Sequence, residues 1–334
     1  MAKVVTLGEI MLRLSTEVGT RLSQTAQFAA HYGGGEANVA ISLANYGHEV
    51  AFATKLPDNS LGEAVLRHLR GAQVQTDYIL KGGARLGTYY LETGVGERAA
   101  KVIYDRAGSS FATVSDNEWA DLDLFADVDI FHISGITAAL SEDWQALTVT
   151  LMRQAKAAGC RISFDVNYRG NLWSQAAAGR ALETILPEVD YCSAGEMDAL
   201  YLLGIPAYQG DGNGLVYYYQ AIQERFPNIQ VLYATKRQVH SASHNVLTGT
   251  LWLGGNYFES KAHDIDPIVD RVGGGDAFSA GVLHGLLAGH DGQAIIEFAT
   301  AASALKHTVS GDDNQFSLAE VSAFVTSGSG KIVR

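Results

Sequence analysis

Hydrophobic residues alternate along the chain between two spacings, which predict two kinds of element. Short apolar runs such as KVVTLGEI (residues 3–10) and RISFDVN (161–167) predict strands. Segments such as EANVAISLANYG (36–47) carry apolar residues at helical spacing and end in glycine, which predicts a helix. Because the two patterns follow one another along most of the chain, we expect an α/β fold with a mostly parallel central sheet covered by helices.

Two segments interrupt this alternation. GTYYLETGVGERAAKVIYD (87–105) has the pattern of a tyrosine-rich β-hairpin with a glycine-containing turn. LRLSTEVGTRLSQTAQFAAHYGG (12–34) has no helical face. We expect insertions at about 11–33 and 87–106 to form a small β-sheet lid on one domain that spans residues 1–334.

Composition and charge argue against several classes of function. The net charge of −12 disfavours a nucleic-acid or anionic-membrane partner, and no run approaches about 18 uninterrupted apolar residues. With 47% hydrophobic and 18% charged residues, the chain can bury a large core. Two cysteines, Cys160 and Cys192, and no signal-peptide pattern favour a reducing, cytoplasmic location.

The segment DRVGGGDAFSAG (270–281) carries the main candidate chemistry. Gly273, Gly274 and Gly275 let a ligand approach the main chain, and the helix that follows presents free N–H groups and partial positive charge. Such a site favours phosphate. Asp276 beside it is suited to accept the proton of a substrate hydroxyl that attacks a γ-phosphoryl group, and the helix terminus is expected to keep it ionised. An ordinary helix cap at Asp276 is the alternative.

Two other glycine motifs lack the context that a phosphate site requires. GVGERA (94–99) matches a dinucleotide-binding pattern but lies in the predicted hairpin turn, with no helix after it. GSGK (328–331) lacks the first glycine and the final Ser or Thr of a Walker A motif. Since no dinucleotide fingerprint follows the first strand, an NAD-dependent dehydrogenase is disfavoured.

Two motifs together resemble the signatures of the ribokinase-like (PfkB) family of sugar kinases. GGGEANVAISLANYG (33–47) resembles the family's paired glycines followed by an asparagine, and 270–281 resembles its D-x-x-G-x-G-D-x-F-x-x-G. The resemblance implies a three-layer α/β/α sandwich with a β-sheet lid, ATP as donor and Mg²⁺ as helper. It implies that Asp276 is the base and that the Gly273–Gly275 amides form an anion hole. The sugar pocket would be lined by Gly33, Gly34 and Asn38.

Further segments, such as HISGI, DVNYRGNLW and ALKHTVSGDDN, resemble the 2-keto-3-deoxygluconate kinases of this family. Their substrate is a six-carbon keto acid, phosphorylated on its 6-hydroxyl. Arg169 follows a predicted strand and Arg106 follows the tyrosine-rich hairpin, so either is suited to pair with the carboxylate. Tyr89 and Tyr104 are candidate donors from the lid. Strand alternation puts Tyr89 and Tyr90 on opposite faces, so only one of them should reach the sugar.

Two family motifs are altered in this chain. SAGE (193–196) stands where N-x-x-E is usual; the retained Glu196 would organise Mg²⁺ through water, or be a glutamate favoured by a helix N-terminus. YATKRQVHSASHN (233–245) replaces a T-x-G-x-x-G turn, and Thr235 and Lys236 are left as candidate contacts to ATP phosphates. We expect three separate strands here, at residues 230–236, 239–247 and 248–255.

The sequence thus predicts an ATP-dependent kinase of a sugar acid, with homo-oligomers formed through the lid. A fructokinase or ribokinase acting on a neutral sugar is the alternative within the class. The altered motifs leave open a second alternative, a sugar- or nucleotide-binding regulator without turnover.

Overall fold

The computed structural model describes residues 2–327, so the GSGK motif lies outside the described residues. The strands in this range are β1 (Lys3–Leu7), β2 (Met11–Ser15), β3 (Ala29–Gly33), β4 (Glu49–Leu56), β5 (Ile79–Lys81), β6 (Thr88–Glu92), β7 (Lys101–Asp105), β8 (Ile130–Ser134), β9 (Arg161–Asp165), β10 (Tyr191–Ser193), β11 (Val231–Ser241), β12 (His244–Leu253), β13 (Asn256–Glu259) and β14 (His263–Ile265).

The helices in the same range are α1 (Gly35–Asn45), α2 (Ser60–Gly71), α3 (Gly135–Ala138), α4 (Glu142–Ala157), α5 (Gln175–Ile185), α6 (Glu196–Tyr201), α7 (Gly214–Arg225), α8 (Gly274–Leu287), α9 (Gly292–Lys306) and α10 (Leu318–Ser327). Several begin at side-chain caps, among them Ser141 before α4, as its position ahead of a helical pattern predicts. Within the described residues, no helix combines the length and the apolar character needed to cross a membrane.

The central sheet has the strand order β13-β12-β11-β10-β9-β8-β1-β4-β5, with β14 paired to β12. All neighbours from β11 to β5 are parallel, whereas β12 pairs antiparallel with β11, β13 and β14. Central strands such as β8 are buried along their whole length. This is expected of parallel strands that are covered on both faces.

Helices cover the two faces of the sheet with separate hydrophobic cores. One core holds apolar residues of α4, α5 and α7, including Trp144 and Ile222. The other holds residues of α1, α2 and α8, including Ile41 and Leu283. The predicted three-layer α/β/α sandwich is therefore confirmed, while the assignment of residues 1–334 to one domain stays a prediction.

Four strands form a second, smaller sheet in the order β3-β2-β6-β7. The strands β6 and β7 pair antiparallel, as the tyrosine-rich pattern predicts, and β2 joins them in parallel through Leu12 opposite Thr88. Register places Arg13, Tyr89 and Tyr104 in one row across this sheet. We call this four-stranded sheet the lid.

The prediction of three separate strands between residues 230 and 255 is wrong. The structure has two long strands, β11 and β12, joined by a tight turn at residues 242–243. The outer half of this hairpin is exposed from Lys236 to His240 and has only one apolar residue there, Val239, so its sequence lacks the apolar alternation that would mark a strand. At its tip, the amide of Ala242 donates to the carbonyl of Gly96 in the lid turn, 2.7 Å away.

Candidate active site

A cavity of about 570 Å³ lies between the lid and the carboxyl ends of the central strands. A second cavity, of about 670 Å³, continues from it along β10 and β11. Open α/β sheets bind ligands at this edge. The two cavities share part of their walls, contributed by Asp165, Asn167, Ser193, Ala234, Thr235 and Arg237. We call them the acceptor cavity and the donor cavity.

The glycine run forms the N-terminus of α8. Gly273 has φ +81°, and a Cβ there would lie 1.6 Å from the carbonyl oxygen of Asp312, so no other residue fits. A Cβ on Gly274 would lie 2.4 Å from the ring of His307. A Cβ on Gly275 would meet nothing within 4 Å, and Gly275 lines the acceptor cavity. A ligand can therefore approach the main chain here.

Asp276 also faces the acceptor cavity, beside this helix terminus. Gly273 is the N-cap of α8, so the alternative role of Asp276 as the cap is wrong. The amide of Asn38 in α1 donates to Oδ2 of Asp276 at 2.6 Å. Burial raises the pKa of Asp276 from 3.8 to about 6, and the Asn38 bond and Arg169 oppose this rise. The carboxylate is still mostly ionised at neutral pH, although burial outweighs the groups that stabilise its charge.

The first glycine motif is packed against the same site. A Cβ on Gly33 would lie 2.3 Å from the side chain of Asp312, and one on Gly34 would lie 2.0 Å from the carbonyl oxygen of Glu9. Gly33, Gly34 and Asn38 all line the acceptor cavity. These glycines let α1 begin close enough to α8 for Asn38 to reach Asp276.

The two candidate arginines differ in their partners. Nε of Arg106 lies 3.2 Å from the buried carboxylate of Glu9, which also accepts a hydrogen bond from Ser109 at 2.5 Å. Arg169 is exposed, lines the acceptor cavity and makes no salt bridge among residues 2–327. The guanidinium of Arg169 is thus the more available of the two for a carboxylate ligand.

The lid tyrosines also differ from one another. Tyr89 lines the acceptor cavity and donates its hydroxyl proton to Asp312, whose other oxygen pairs with Arg13 at 2.8 Å. Burial raises the pKa of Tyr89, so its hydroxyl stays protonated. The ring of Tyr104 lies 5.6 Å from that of Tyr89 and is partly exposed to the cavity. Tyr90 points to the opposite face, against Phe28.

The residues predicted to contact the nucleotide lie along the donor cavity. Thr235 and Lys236 follow the buried part of β11, and Glu196 begins α6 at the surface. The ammonium of Lys236 is paired with Glu259 at 2.6 Å. All three residues line the donor cavity, and Thr235 also belongs to the wall that this cavity shares with the acceptor cavity.

Sequence reasoning missed three charged groups in these walls. Arg237 and Arg271 line the acceptor cavity, and neither makes a salt bridge in the part of the chain that the structure describes. Desolvation and the nearby Arg271 lower the pKa of Arg237 to about 10, so both guanidinium groups are charged at neutral pH. Burial and the charge of Asp276 raise the pKa of Asp165 to about 7. For Arg271, its position inside the glycine-rich motif at residues 270–281 was a sequence signal that could have identified it.

Two unpaired arginines beside a helix N-terminus make a site for an anion. Like charges repel, so holding Arg237 and Arg271 together at one wall costs free energy until a negative ligand enters. A phosphate group bound there would meet main-chain N–H groups and two guanidinium groups, which provide bidentate donors. Asp276 lines the same cavity as these two arginines.

Comparison with known proteins identifies the class. Residues 1–318 match the family of pfkB carbohydrate kinases, and the chain belongs to this family. A solved PfkB family carbohydrate kinase from Listeria grayi is 47% identical, with a TM-score of 0.93, and the match covers 97% of this chain and 99% of that one. The predicted family is therefore confirmed, and the protein is a carbohydrate kinase.

Two further relatives carry more specific names. The structure of 2-dehydro-3-deoxygluconokinase from Thermotoga maritima is 38% identical, with a TM-score of 0.92, covering 98% of this chain and all of that one. A 2-dehydro-3-deoxygalactonokinase of Haloferax volcanii is 35% identical over 311 residues, which are 93% of this chain and 92% of the relative.

Proposed function

We propose that this carbohydrate kinase transfers the γ-phosphoryl group of ATP to the 6-hydroxyl of 2-keto-3-deoxygluconate, also called 2-dehydro-3-deoxygluconate. One observation carries the proposal: a single cavity contains a carboxylate at a glycine-rich helix N-terminus and an unpaired arginine. The first group suits phosphoryl transfer, and the second suits an acceptor that carries a carboxylate. The names of the relatives from Thermotoga maritima and Haloferax volcanii support the same substrate class.

Asp276 acts as the general base in this proposal. Asn38 fixes one carboxylate oxygen, which leaves the other, Oδ1, directed towards Gly35 at the cavity wall. The 6-hydroxyl donates its proton to Asp276 as its oxygen attacks the γ-phosphorus, and the bond to the β,γ-bridging oxygen of ATP breaks, which releases ADP. The Gly273–Gly275 amides stabilise the charge on the transferring group.

Arg237 and Arg271 extend this anion hole on the donor side. Both are charged, unpaired and placed beside the glycine run, where the ATP phosphates must lie for in-line transfer. Their charge also offsets the repulsion that a chain of net charge −12 imposes on an anionic donor and acceptor.

Recognition of the sugar acid falls to Arg169, with Arg106 beside it. Among residues 2–327, Arg169 makes no salt bridge, so its guanidinium is free to form a paired hydrogen bond with the substrate carboxylate. Arg106 is held by Glu9 and contributes its remaining donors. Tyr104 supplies a phenolic group from the lid, whereas the Tyr89 hydroxyl is occupied by Asp312 and serves to orient the pocket wall.

The donor cavity would bind ATP with Mg²⁺. No group of three or more His, Cys, Asp or Glu among residues 2–327 is arranged to hold a metal. Mg²⁺ keeps several waters and needs only one or two carboxylates besides the phosphates. Glu196 would supply such a carboxylate through water. Thr235 would contact phosphate oxygens. Lys236 would also contact them once its ammonium separates from Glu259. Mg²⁺ would neutralise phosphate charge.

The outer face of the lid is the proposed contact of a homo-oligomer. Register places Leu14, Tyr90 and Ile103 in one row on the face opposite the cavity, with Phe28 against Tyr90. Ile103 is 46% exposed and Phe28 is 40% exposed, which leaves an apolar surface for a second copy to cover. A cytoplasmic location is proposed with it, since Cys160 and Cys192 are both free and buried.

The galacto epimer of the substrate is the second candidate, favoured by the name of the relative from Haloferax volcanii. The test is ADP release with MgATP, coupled to a reporter enzyme, with 2-keto-3-deoxygluconate, 2-keto-3-deoxygalactonate, fructose and ribose as acceptors. Asp276→Asn is the inactive control.

We expect the gluco keto acid to exceed both neutral sugars by about 100-fold in kcat/KM, which corresponds to about 2.7 kcal/mol. Preference for the galacto epimer would correct the substrate, and preference for fructose or ribose would refute the carboxylate pocket. If ATP binds and none of the four acceptors is phosphorylated, the proposed substrate is refuted and the alternative of a regulator without turnover is favoured.

A further inference from the structure

A third cavity, of about 480 Å³, lies beside the acceptor cavity. The two cavities share four wall residues, which are Tyr104, Arg106, Ile136 and Arg169. Asp276 lines the acceptor cavity but not this third one. The acceptor cavity therefore opens into a second space at the two arginines proposed to bind the substrate carboxylate, and not at the proposed base. We call the third cavity the side cavity.

Two turns border the side cavity beyond the arginines. Ala107 lies in the turn that follows β7. Asn171 lies in the turn that follows β9, where the amide of Leu172 donates to the carbonyl of Arg169 at 2.9 Å. Ala107 and Asn171 are exposed, and neither of them lines the acceptor cavity. A ligand group that passes the arginines thus enters a space with exposed turns at its rim.

The charges in the wall of the side cavity suit a carboxylate. Arg106 and Arg169 are its cations, and among the residues that the structure describes, Asp105 is the one acid that lines it. Both oxygens of Asp105 accept hydrogen bonds from the guanidinium of Arg85, at 2.8 and 2.7 Å, which offsets this negative charge. A carboxylate that moves outward past Arg169 therefore stays beside a positive charge.

The position of the arginines decides which acceptor lengths fit. The reacting hydroxyl must reach Asp276, which Asn38 holds in place, so a longer acceptor has to place its extra carbons at the carboxylate end. Each added carbon moves the carboxylate outward by at most about 1.5 Å, the length of one C–C bond. Arg169 is exposed, and its side chain can turn into the side cavity with the carboxylate. A closed pocket would instead penalise each extra methylene by about 10- to 200-fold.

We propose that this kinase also phosphorylates the terminal hydroxyl of 2-keto-3-deoxy acids one and two carbons longer than its six-carbon substrate, with their carboxylate end in the side cavity. The inference rests on the proposed function, because it uses the same base and the same arginines. The terminal hydroxyl gives its proton to Asp276, its oxygen bonds to the γ-phosphorus, and the bond to the β,γ-bridging oxygen of ATP breaks, which releases ADP. The side cavity then sets the limit on acceptor length.

A chain-length series tests the inference. The acceptors are 2-keto-3-deoxy acids of six, seven and eight carbons with the same configuration at the two carbons next to the reacting hydroxyl, and ADP release is measured with MgATP. Ala107→Trp and Asn171→Trp each fill the side cavity from one of its turns and replace no residue proposed to bind the sugar. Ala157→Trp is the matched control, because Ala157 is exposed at the end of α4 and lines neither cavity.

We expect the wild type and the Ala157→Trp variant to use the eight-carbon acid with a kcat/KM within about tenfold of the six-carbon value. Each filling variant should lose at least about 30-fold with the eight-carbon acid and less than about threefold with the six-carbon acid. A larger loss in the wild type would overturn the inference. So would a folded filling variant that keeps the eight-carbon acid, or one that loses both acids equally. The wild-type series decides even if a filling variant fails to fold.

Thermal unfolding without ATP separates this inference from the proposed function. At equal concentrations, the six-carbon and eight-carbon acids should raise the Tm of the wild type by similar amounts, and the Ala107→Trp variant should keep only the six-carbon shift. If no acid is phosphorylated, the proposed function fails while these shifts still decide whether longer acids fit. A wild-type shift with the six-carbon acid alone would overturn the inference. Neither a shift nor turnover with any acid would overturn both.

Discussion

Replacing Asp276 by asparagine is expected to abolish activity and, at neutral pH, to make the folded protein more stable. Burial raises the pKa of Asp276 from 3.8 to about 6 in the folded chain. A carboxyl whose folded-state pKa exceeds its unfolded value lowers the free energy of unfolding wherever it is ionised in the fold. The destabilisation is therefore complete above about pH 6 and disappears below about pH 4.

The magnitude follows from the same two pKa values. Their difference corresponds to about 3 kcal/mol at pH 7.5 and to about half of that at pH 5. Asparagine has nearly the same shape, and its carbonyl oxygen still accepts the hydrogen bond from Asn38. Because this acceptor is uncharged, the hydrogen bond is weaker, which reduces the gain in stability by about 1 kcal/mol. The expected net gain is about 2 kcal/mol at pH 7.5, or a Tm higher by about 2 to 3 °C for a chain of this length.

The assay is urea unfolding of the wild type and the Asp276→Asn variant at pH 5, 6 and 7.5. Asp291→Asn is the control, because Asp291 is an exposed N-cap that asparagine also satisfies, and its kcat should be unchanged. A variant less stable than the wild type at pH 7.5 would refute the reasoning. A stability difference that is the same at pH 5 and pH 7.5 would also refute it, since ionisation would then not be its cause.

Three further outcomes are expected. The kcat/KM should fall about tenfold per pH unit below about pH 6 as Asp276 takes up its proton, and a profile flat down to pH 5 would exclude it as the base. Arg169→Met should raise KM for the keto acid by about 100-fold. Arg106→Met should raise KM by less, because Arg106 is already held by Glu9. Initial rates measured against substrate concentration give both KM values, and an unchanged KM in the Arg169→Met variant would contradict the proposed role of Arg169. Ile103→Asp should convert a homo-oligomer to monomers with the fold intact, as light scattering and circular dichroism would show; an unchanged mass places the contact elsewhere.

Most elements and the glycine-rich loop before α8 could be predicted from the sequence because their signals are local. Apolar spacing marked α1, and three glycines before a helical run marked the N-terminus of α8. The lid was predicted because its two segments interrupt the alternation of strand and helix patterns along the chain. Its pairing of β2 with β6 depends on residues more than 70 positions apart, and no local pattern encodes that register.

The residues that the sequence analysis missed were missed for a different reason. Arg237 lies in the outer part of β11, where most residues face solvent and their polar pattern is typical of a loop. Asp165 ends a buried strand, and its raised pKa depends on Asp276, which is distant in sequence. In each case tertiary contacts, and not nearby residues, decide what the side chain does.

The hydrogen bond from Asn38 to Asp276 joins residues 238 positions apart. A ribosome makes Asn38 and Arg169 of the acceptor wall before it makes the helix that carries Asp276. A chain that stops before residue 276 has Asn38 without Asp276, and a fragment that begins after residue 38 has Asp276 without Asn38. Truncated or cleaved products therefore lack this contact between α1 and the N-terminus of α8.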